Sequence, residues 1–535
     1  MSFENYQVNK KNENDECNIH GICSISPTAS AIKSAIFAHL QELAFYVLKV
    51  RDFGARNNQI KNSFIEIFST LIPNYEYTQE NLNHILPTLQ GFIVDVKNMY
   101  KQLCEEKNIE ANFFKNQMKL GEKYTISDVV KQGQKYNDKI NSKLSEDQKK
   151  GLEIIIIILK SICLYIVELQ SLDVDIDKYY EELLLAINPK NFNELSTEEI
   201  KELMKKYSLT DNELMSIVFE ARKKEFGEFI ETDILLSPKE GKAILVAGTD
   251  LHDLKLLLEA TKDKGINIYT HGRMITGHTF EKLKTYPHLM GHYGKGIDDY
   301  ISDFSSFPGA ILLTKMSLFR VEKLCFCKLY TTDKITNLNA TPIKDNDFEP
   351  IIHSALREDG FEETEPEIKE KFGINEQNYI NEVAQLVERV SKNEIKNIFT
   401  IGVSNKIDSQ IEYFKRFLKL LNKDCFAISF NYKDGLKNIL YNNIDYAFPY
   451  LYKALDALLK VKQASGLKIY ILNSRCEPHT IPNMIHLKTL GVDKIYFYPC
   501  QSSQMNPTLT DLLLKLFDMS EYTTPENDFK KSLNL

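Results

Sequence analysis

KAILVAGTDLHDLKLLLEATKDKGINIYTHGRM, Lys242 to Met274, holds two continuous apolar runs with a helically spaced stretch between them. A short apolar run that stops at small or polar residues marks a strand buried on both faces. Two such strands joined by a helix make a parallel unit. The same pattern returns in GAILLTKMS (Gly309 to Ser317), NIFTIGVSN (Asn397 to Asn405), DCFAISFN (Asp424 to Asn431), LKIYILNS (Leu467 to Ser474) and KIYFYP (Lys494 to Pro499). These runs predict two doubly wound α/β domains, over 229–375 and 376–535. The acidic stretch REDGFEETEPEIKEKFG, Arg357 to Gly373, serves as the boundary between them.

Upstream the periodicity is different. SAIFAHLQELAFYVLKV, NSFIEIFSTLI, GLEIIIIILKSICLYIVEL and EELLLAI repeat apolar residues at three and four, which predicts helical bundles over 1–228. SISPTAS, with Ser and Pro at a helix entrance, marks the start of the first helix. Gly151 to Leu169 is the one span that resembles a membrane helix. Lys160 interrupts it and Glu153 and Glu168 flank it, so it reads as a buried bundle helix.

The chain has 535 residues, 43% of them hydrophobic and 26% charged, as in a soluble globular protein. A net charge of −8 and the lack of a dense basic stripe argue against a nucleic-acid partner. The polar, acidic N-terminus carries no secretory signal, which places the protein in the cytoplasm. Nine scattered cysteines in such a chain do not form a disulfide framework. Cys325 and Cys327 in KLCFCKLY alternate with apolar residues as on a strand. They read as buried structural thiols, with copper or redox chemistry as the alternative.

In doubly wound sheets ligands sit beyond the carboxyl ends of the strands. Those ends carry Thr249, His271, Ser317, Ser404, Asn431 and Glu477. No glycine-rich dinucleotide loop or Walker loop appears among them. Four of eleven histidines, His271, His278, His288 and His292, lie close together, as metal ligands would. Arg273 stands in their midst, and a guanidinium repels a metal. Both readings remain open at this point: a metal site, or polar strand-end and loop histidines, with His288 and His292 in a Pro-led loop.

The block Lys242 to Met274, followed by YPHLMGHYG, FPGAILLTK, KLYTT, EIKNIFTIG, SRCEPH and LKTLGVDKI, resembles the hybrid cluster proteins. These are also called prismane proteins or hydroxylamine reductases, and are relatives of nickel carbon-monoxide dehydrogenases. ECNIHGICSISPTASAI resembles the family's cysteine-rich start. The resemblance implies a helical domain of two three-helix bundles followed by two α/β domains. It also implies an N-terminal iron–sulfur cluster, and a hybrid iron–sulfur–oxygen cluster held by one His, two Glu and four Cys. The implied setting is anaerobic metabolism and nitrosative stress.

Carried over position by position, the family's histidine ligand falls at Thr249 and its first glutamate at Arg273. The cysteines fall at Ser317, Ser404, Asn431 or Tyr432, and near Phe448; only Glu477 keeps its identity. His479 replaces a neighbouring lysine. Of the N-terminal cluster's cysteines only Cys17 and Cys23 match, with Glu4 and Gln7 near the missing pair. Iron–sulfur clusters need thiolates. The expectation is therefore a degenerate homologue with no metal cofactor, acting as a binding or regulatory paralogue. Its partner would be a second copy or an active family member. An Arg273–Glu477 salt bridge would join two former ligand positions. The alternative is an oxidoreductase of the hydroxylamine or nitric oxide reductase type, or other chemistry in the same cavity. There Glu477 would be a base, Cys476 a nucleophile, and Thr249, His271 and His479 part of the lining.

Overall fold

The computed structural model describes residues 27–71, 77–115, 117–118, 121, 123–188, 195–294, 299–315, 328–333, 340–402, 408–430, 438–444, 448–473, 478–497 and 507–533. The chain divides into two compact units, the first built from residues up to Leu214 and the second mostly from residues after it.

The first unit is helical. Its helices are α1 (Pro27–Asp52), α2 (Asn58–Ser69), α3 (Gln79–Glu106), α4 (Ile126–Asn141), α5 (Glu146–Ser171) and α6 (Asp177–Ile187). A further helix, α7 (Thr197–Phe226), runs from this unit into the second. α1 is described from Pro27, the start signal SISPTAS lying partly outside the described residues, and it packs on α3 and α4, while α2 packs on α5 and α5 on α6. Capping boxes at Thr78, Thr125 and Ser145 fix the starts of α3, α4 and α5. The apolar run from Gly151 lies in α5 with Leu152, Ile154, Ile155, Ile158 and Ile162 buried, as a bundle helix. Among the described residues no helix is long and apolar enough to cross a membrane.

α1 is buried around its whole circumference from Ala29 to Val47. Helix α4 comes so close that a Cβ at Gly133 would stand 1.8 Å from the Ala31 carbonyl oxygen, so only glycine fits there. The buried face carries polar groups too. Tyr136 donates to Gln41 Oε1 at 2.5 Å, and His39 Nδ1 donates to the Ala35 carbonyl at 2.9 Å.

The second unit contains two six-stranded parallel sheets. The first has the order β4-β3-β2-β5-β6-β7, from β2 (Lys242–Ala247), β3 (Ile266–His271), β4 (Leu289–His292), β5 (Ala310–Leu313), β6 (Leu329–Thr331) and β7 (Thr341–Pro342). Its helices are α8 (Leu251–Ala260), α9 (Glu281–Lys284), α10 (Tyr300–Ser306) and α11 (Glu349–Arg357). The second sheet has the order β11-β10-β9-β12-β13-β14. Its strands are β9 (Asn397–Ile401), β10 (Cys425–Phe430), β11 (Ile439–Asn442), β12 (Lys468–Asn473), β13 (Lys494–Phe497) and β14 (Ser520–Glu521). Helices α12 (Glu376–Ser391), α13 (Asp408–Lys419), α14 (Phe448–Ser465), α15 (Thr480–Thr489), α16 (Pro507–Phe517) and α17 (Pro525–Leu533) accompany it. The runs KAILVA, INIY, AILL, NIFTI, CFAISF, KIYILN and KIYF are strands. A separate antiparallel ribbon pairs β1 (Thr232–Leu235) with β8 (Lys369–Phe372), the latter inside the acidic boundary stretch, and β1 packs against β4.

Between α12, α14 and the end of α7, Glu376 accepts from Lys453 and from Lys223, the latter at 3.4 Å. The Lys453 ammonium lies 5.5 Å from the Phe219 ring centre and 5.2 Å from that of Tyr450. Tyr450 also meets Phe229 and Tyr379 edge-on or tilted. This seam ties the end of α7 and Phe229 to α12 and α14 through charge and aromatic faces together.

In the helical unit, burial pushes the Glu42 carboxyl up to about 7, against the pull of Lys97. Glu42 is 5% exposed. Its folded pKa lies above its unfolded value, so folding takes up a proton between roughly pH 4.5 and 7, and stability falls as pH rises through that window. Glu42→Gln is expected to match the wild type in denaturant unfolding near pH 5 and to exceed it near pH 8. The gain is bounded by about 3 kcal/mol.

Candidate functional site

The chain order of the first sheet reverses between β2 and β5, and this switch point is where doubly wound sheets bind ligands. At Gly248 the backbone takes φ +124°, and a Cβ would lie 2.2 Å from Thr314 Oγ1. Thr314 uses that approach. Its hydroxyl accepts from the amides of Thr249 and Asp250, each at 3.1 Å. Asp250 then caps α8, accepting from the amides of His252 and Asp253 at 2.8 and 3.1 Å.

One turn on, Asp253 is completely buried. Its Oδ2 accepts from the Thr332 hydroxyl at 2.5 Å and from the Lys315 amide at 3.2 Å, and its Oδ1 accepts from Lys315 Nζ at 3.0 Å. Lys315 also stands 3.7 Å from Asp250 Oδ2. Burial, then the Asp250 charge, push the Asp253 carboxyl above the usual range, while Lys315 and Thr332 pull against them. Burial disfavours the Lys315 ammonium, but Asp253 and Asp250 outweigh it and hold its pKa above the ordinary value. The ends of β2, β5 and β6 are thus tied by one buried ionic cluster. Sequence reasoning missed Asp253, Lys315 and Thr332. The available signal was the DLHD turn directly after a strand, with a lysine at the end of the neighbouring strand.

The histidine group is a hydrogen-bonded network. His271 is the last residue of β3 and fully buried, and its Nε2 lies 2.9 Å from Asp303 Oδ2 on α10. His278 Nε2 lies 3.1 Å from the Gly291 carbonyl and 3.0 Å from Thr270 Oγ1. A carbonyl only accepts, so His278 carries its proton on Nε2. The Thr270 hydroxyl also lies 3.0 Å from His292 Nδ1, which links the two rings through one side chain. His288 Nε2 meets the Leu258 carbonyl at 3.1 Å and Thr261 Oγ1 at 3.1 Å. His288 sits in the connection before β4 as expected, and His292 does not. His292 is the last residue of β4, where its register opposite Thr270 is set by pairing with β3, and His288 lies in the turn directly before that strand. Among the described residues no group of three or more His, Cys, Asp or Glu side chains is placed to hold a metal ion.

Thr249 and Arg273 follow neighbouring strands paired at Ala247↔His271, so both lie at the same edge of the sheet. Thr249 is half-buried, and so is Arg273, which sits in the 3₁₀ turn Gly272–Thr279. Phe448 opens α14, is buried, and has its ring centre 6.4 Å from that of Tyr452. His479 precedes α15, and its carbonyl accepts from Asn483 Nδ2 at 2.6 Å. Ser317, Ser404, Asn431, Tyr432, Cys476 and Glu477 lie outside the described residues, as do Cys17, Cys23, Cys325 and Cys327. The Arg273–Glu477 bridge therefore has one member outside them.

The model of the Prismane/CO dehydrogenase family matches residues 10–430, and the chain belongs to that family. A hydroxylamine reductase of Methanocella arvoryzae is 23% identical over 544 residues, with 99% of each chain covered. One from Actinobacillus succinogenes is 26% identical over 542 residues, with 95% of each covered. One from Mannheimia succiniciproducens is 29% identical over 384 residues, 68% of each. A solved alpha subunit of acetyl-CoA synthase/carbon monoxide dehydrogenase is similar over 97% of this chain and 84% of its own, at 12% identity and a TM-score of 0.49.

Burial, then the Lys284 charge, lower the His278 pKa to about 3, with the Gly291 carbonyl opposing. The folded value lies below the unfolded one, so the neutral ring favours the fold above about pH 6.5, and that contribution is lost as pH falls from there. Ring-nitrogen NMR is expected to show His278 as the neutral Nε2–H tautomer from about pH 8 down to pH 5. A ring that protonates near the ordinary histidine pKa would contradict the network.

Proposed function

We propose that this member of the Prismane/CO dehydrogenase family is a non-catalytic paralogue of the hydroxylamine reductases, working in the cytoplasm by binding, as a homodimer or with an active family member. The observation that carries the reading is the pair Thr249 and Arg273 on the adjoining ends of β2 and β3. By resemblance these are positions of a histidine and a glutamate ligand. A hydroxyl and a fixed cation stand there instead, and a guanidinium neither ligates iron nor tolerates a cationic centre beside it.

The rest of the donor set supports the same reading. Phe448 puts a buried ring where a thiolate is implied. Ser317, Ser404 and Asn431 are oxygen or amide side chains at three more cysteine positions, leaving Glu477 alone. Residues of this kind do not fit an iron–sulfur–oxygen cluster. The domain plan that accompanies this reading is a helical part over 1–228 and α/β parts over 229–375 and 376–535. The similarity to proteins named hydroxylamine reductase across nearly their whole length is what favours the opposing reading, retained reductase chemistry.

Iron and acid-labile sulfide analysis of anaerobically purified protein separates the two. Expected is a colourless preparation without stoichiometric iron, which does not consume hydroxylamine in the presence of a low-potential reductant. Near-stoichiometric iron with a visible charge-transfer band, accompanied by hydroxylamine turnover, would overturn the proposal.

A further inference from the structure

The β2–α8 turn sends two carboxylates, Asp250 and Asp253, toward one point. Their side chains retain 5% and 0% of their surface, and the ammonium of Lys315 stands between them at 3.7 and 3.0 Å. Two buried carboxylates that converge from one turn repel each other and lose their hydration, which is tolerated only with a cation at the convergence point. The second oxygen of Asp253 is saturated by the Thr332 hydroxyl and the Lys315 amide, which aims the first at the ammonium. Lys315 arrives from the end of β5 with 29% of its side chain exposed.

An ammonium and a hard divalent ion answer the same demand, positive charge against oxygen donors. The geometry points to Lys315 as the resident cation of a two-carboxylate site at the switch point, its ammonium occupying the place a divalent metal ion would take between Asp250 and Asp253. Two negative charges meet one positive charge there, and the N-terminus of α8, ten residues long, supplies part of the balance. Removing the lysine charge exposes a latent site for a hard divalent cation, with Asp250 and Asp253 oxygens and water as ligands. This inference goes beyond the proposed function and does not depend on it. Iron bound by the wild-type chain at the former cluster positions would leave it standing.

The test is manganese(II) binding, followed by loss of the free-ion EPR signal and by thermal unfolding, for the full chain and for Lys315→Gln. The glutamine keeps a hydrogen-bonding end without the charge. Lys315→Gln is expected to bind about one more manganese than the wild type, with Kd on the order of 10⁻⁴ to 10⁻³ M, as for weak oxygen-ligand sites. The ion should raise its Tm while leaving that of the wild type unchanged, and Asp253→Asn added to Lys315→Gln should abolish the extra site. If Lys315→Gln folds only when manganese is present, the assignment is likewise supported. It is overturned if the variant binds no more manganese than the wild type, if the extra binding survives Asp253→Asn, or if the variant fails to fold with and without the ion.

Discussion

The Asp253 carboxylate has no contact with solvent, and three strand ends are fastened to it. Its Oδ1 holds the Lys315 ammonium, and its Oδ2 the Thr332 hydroxyl and the Lys315 amide. Its own backbone belongs to the first turn of α8, fixed by the Asp250 cap. A charge buried this deeply needs partners of the right sign, and these come from the ends of β5 and β6, which ties both to the end of β2. The opening at the carboxyl side of the first sheet is held from within by side chains. Thr249 and Arg273 are displayed on that rim.

Most of the architecture was legible because parallel strands buried on both faces leave a plain mark, an unbroken apolar run. KAILVA, INIY, AILL, NIFTI, CFAISF, KIYILN and KIYF are all strands. What escaped notice was short. LMGH of β4 and ILYN of β11 are four residues each, and TP of β7 is two. Such pieces sit toward sheet edges, where pairing with a neighbour selects the strand and composition says little. β4 shows the consequence, since its last residue, His292, looks like a loop residue until the register with β3 is known.

The site was legible in part. Strand-end positions could be found from pattern and the substituted ligand positions from resemblance. The ionic cluster could not, because a lysine after an apolar run looks like any solvated lysine. Only the fold brings Lys315 to two carboxylates more than sixty residues earlier. The four histidines teach the converse. Proximity in sequence suggested convergence on a metal, yet each described ring is engaged by a hydroxyl, a carbonyl or a carboxylate of its own surroundings.

The ribbon of β1 and β8 bears on how the chain is made. Thr232 pairs with Phe372 and Leu235 with Lys369, so the entire first α/β layer is synthesised between the two halves of one small ribbon. At about 5–20 residues per second, β1 waits on the order of ten seconds for its partner. During that time its hydrogen-bonding groups are open to any extended segment nearby, its own sheet included. The first layer is therefore closed last by its own continuation, as a loop is closed by a clasp, and a chain that stops before Lys369 leaves β1 without its mate.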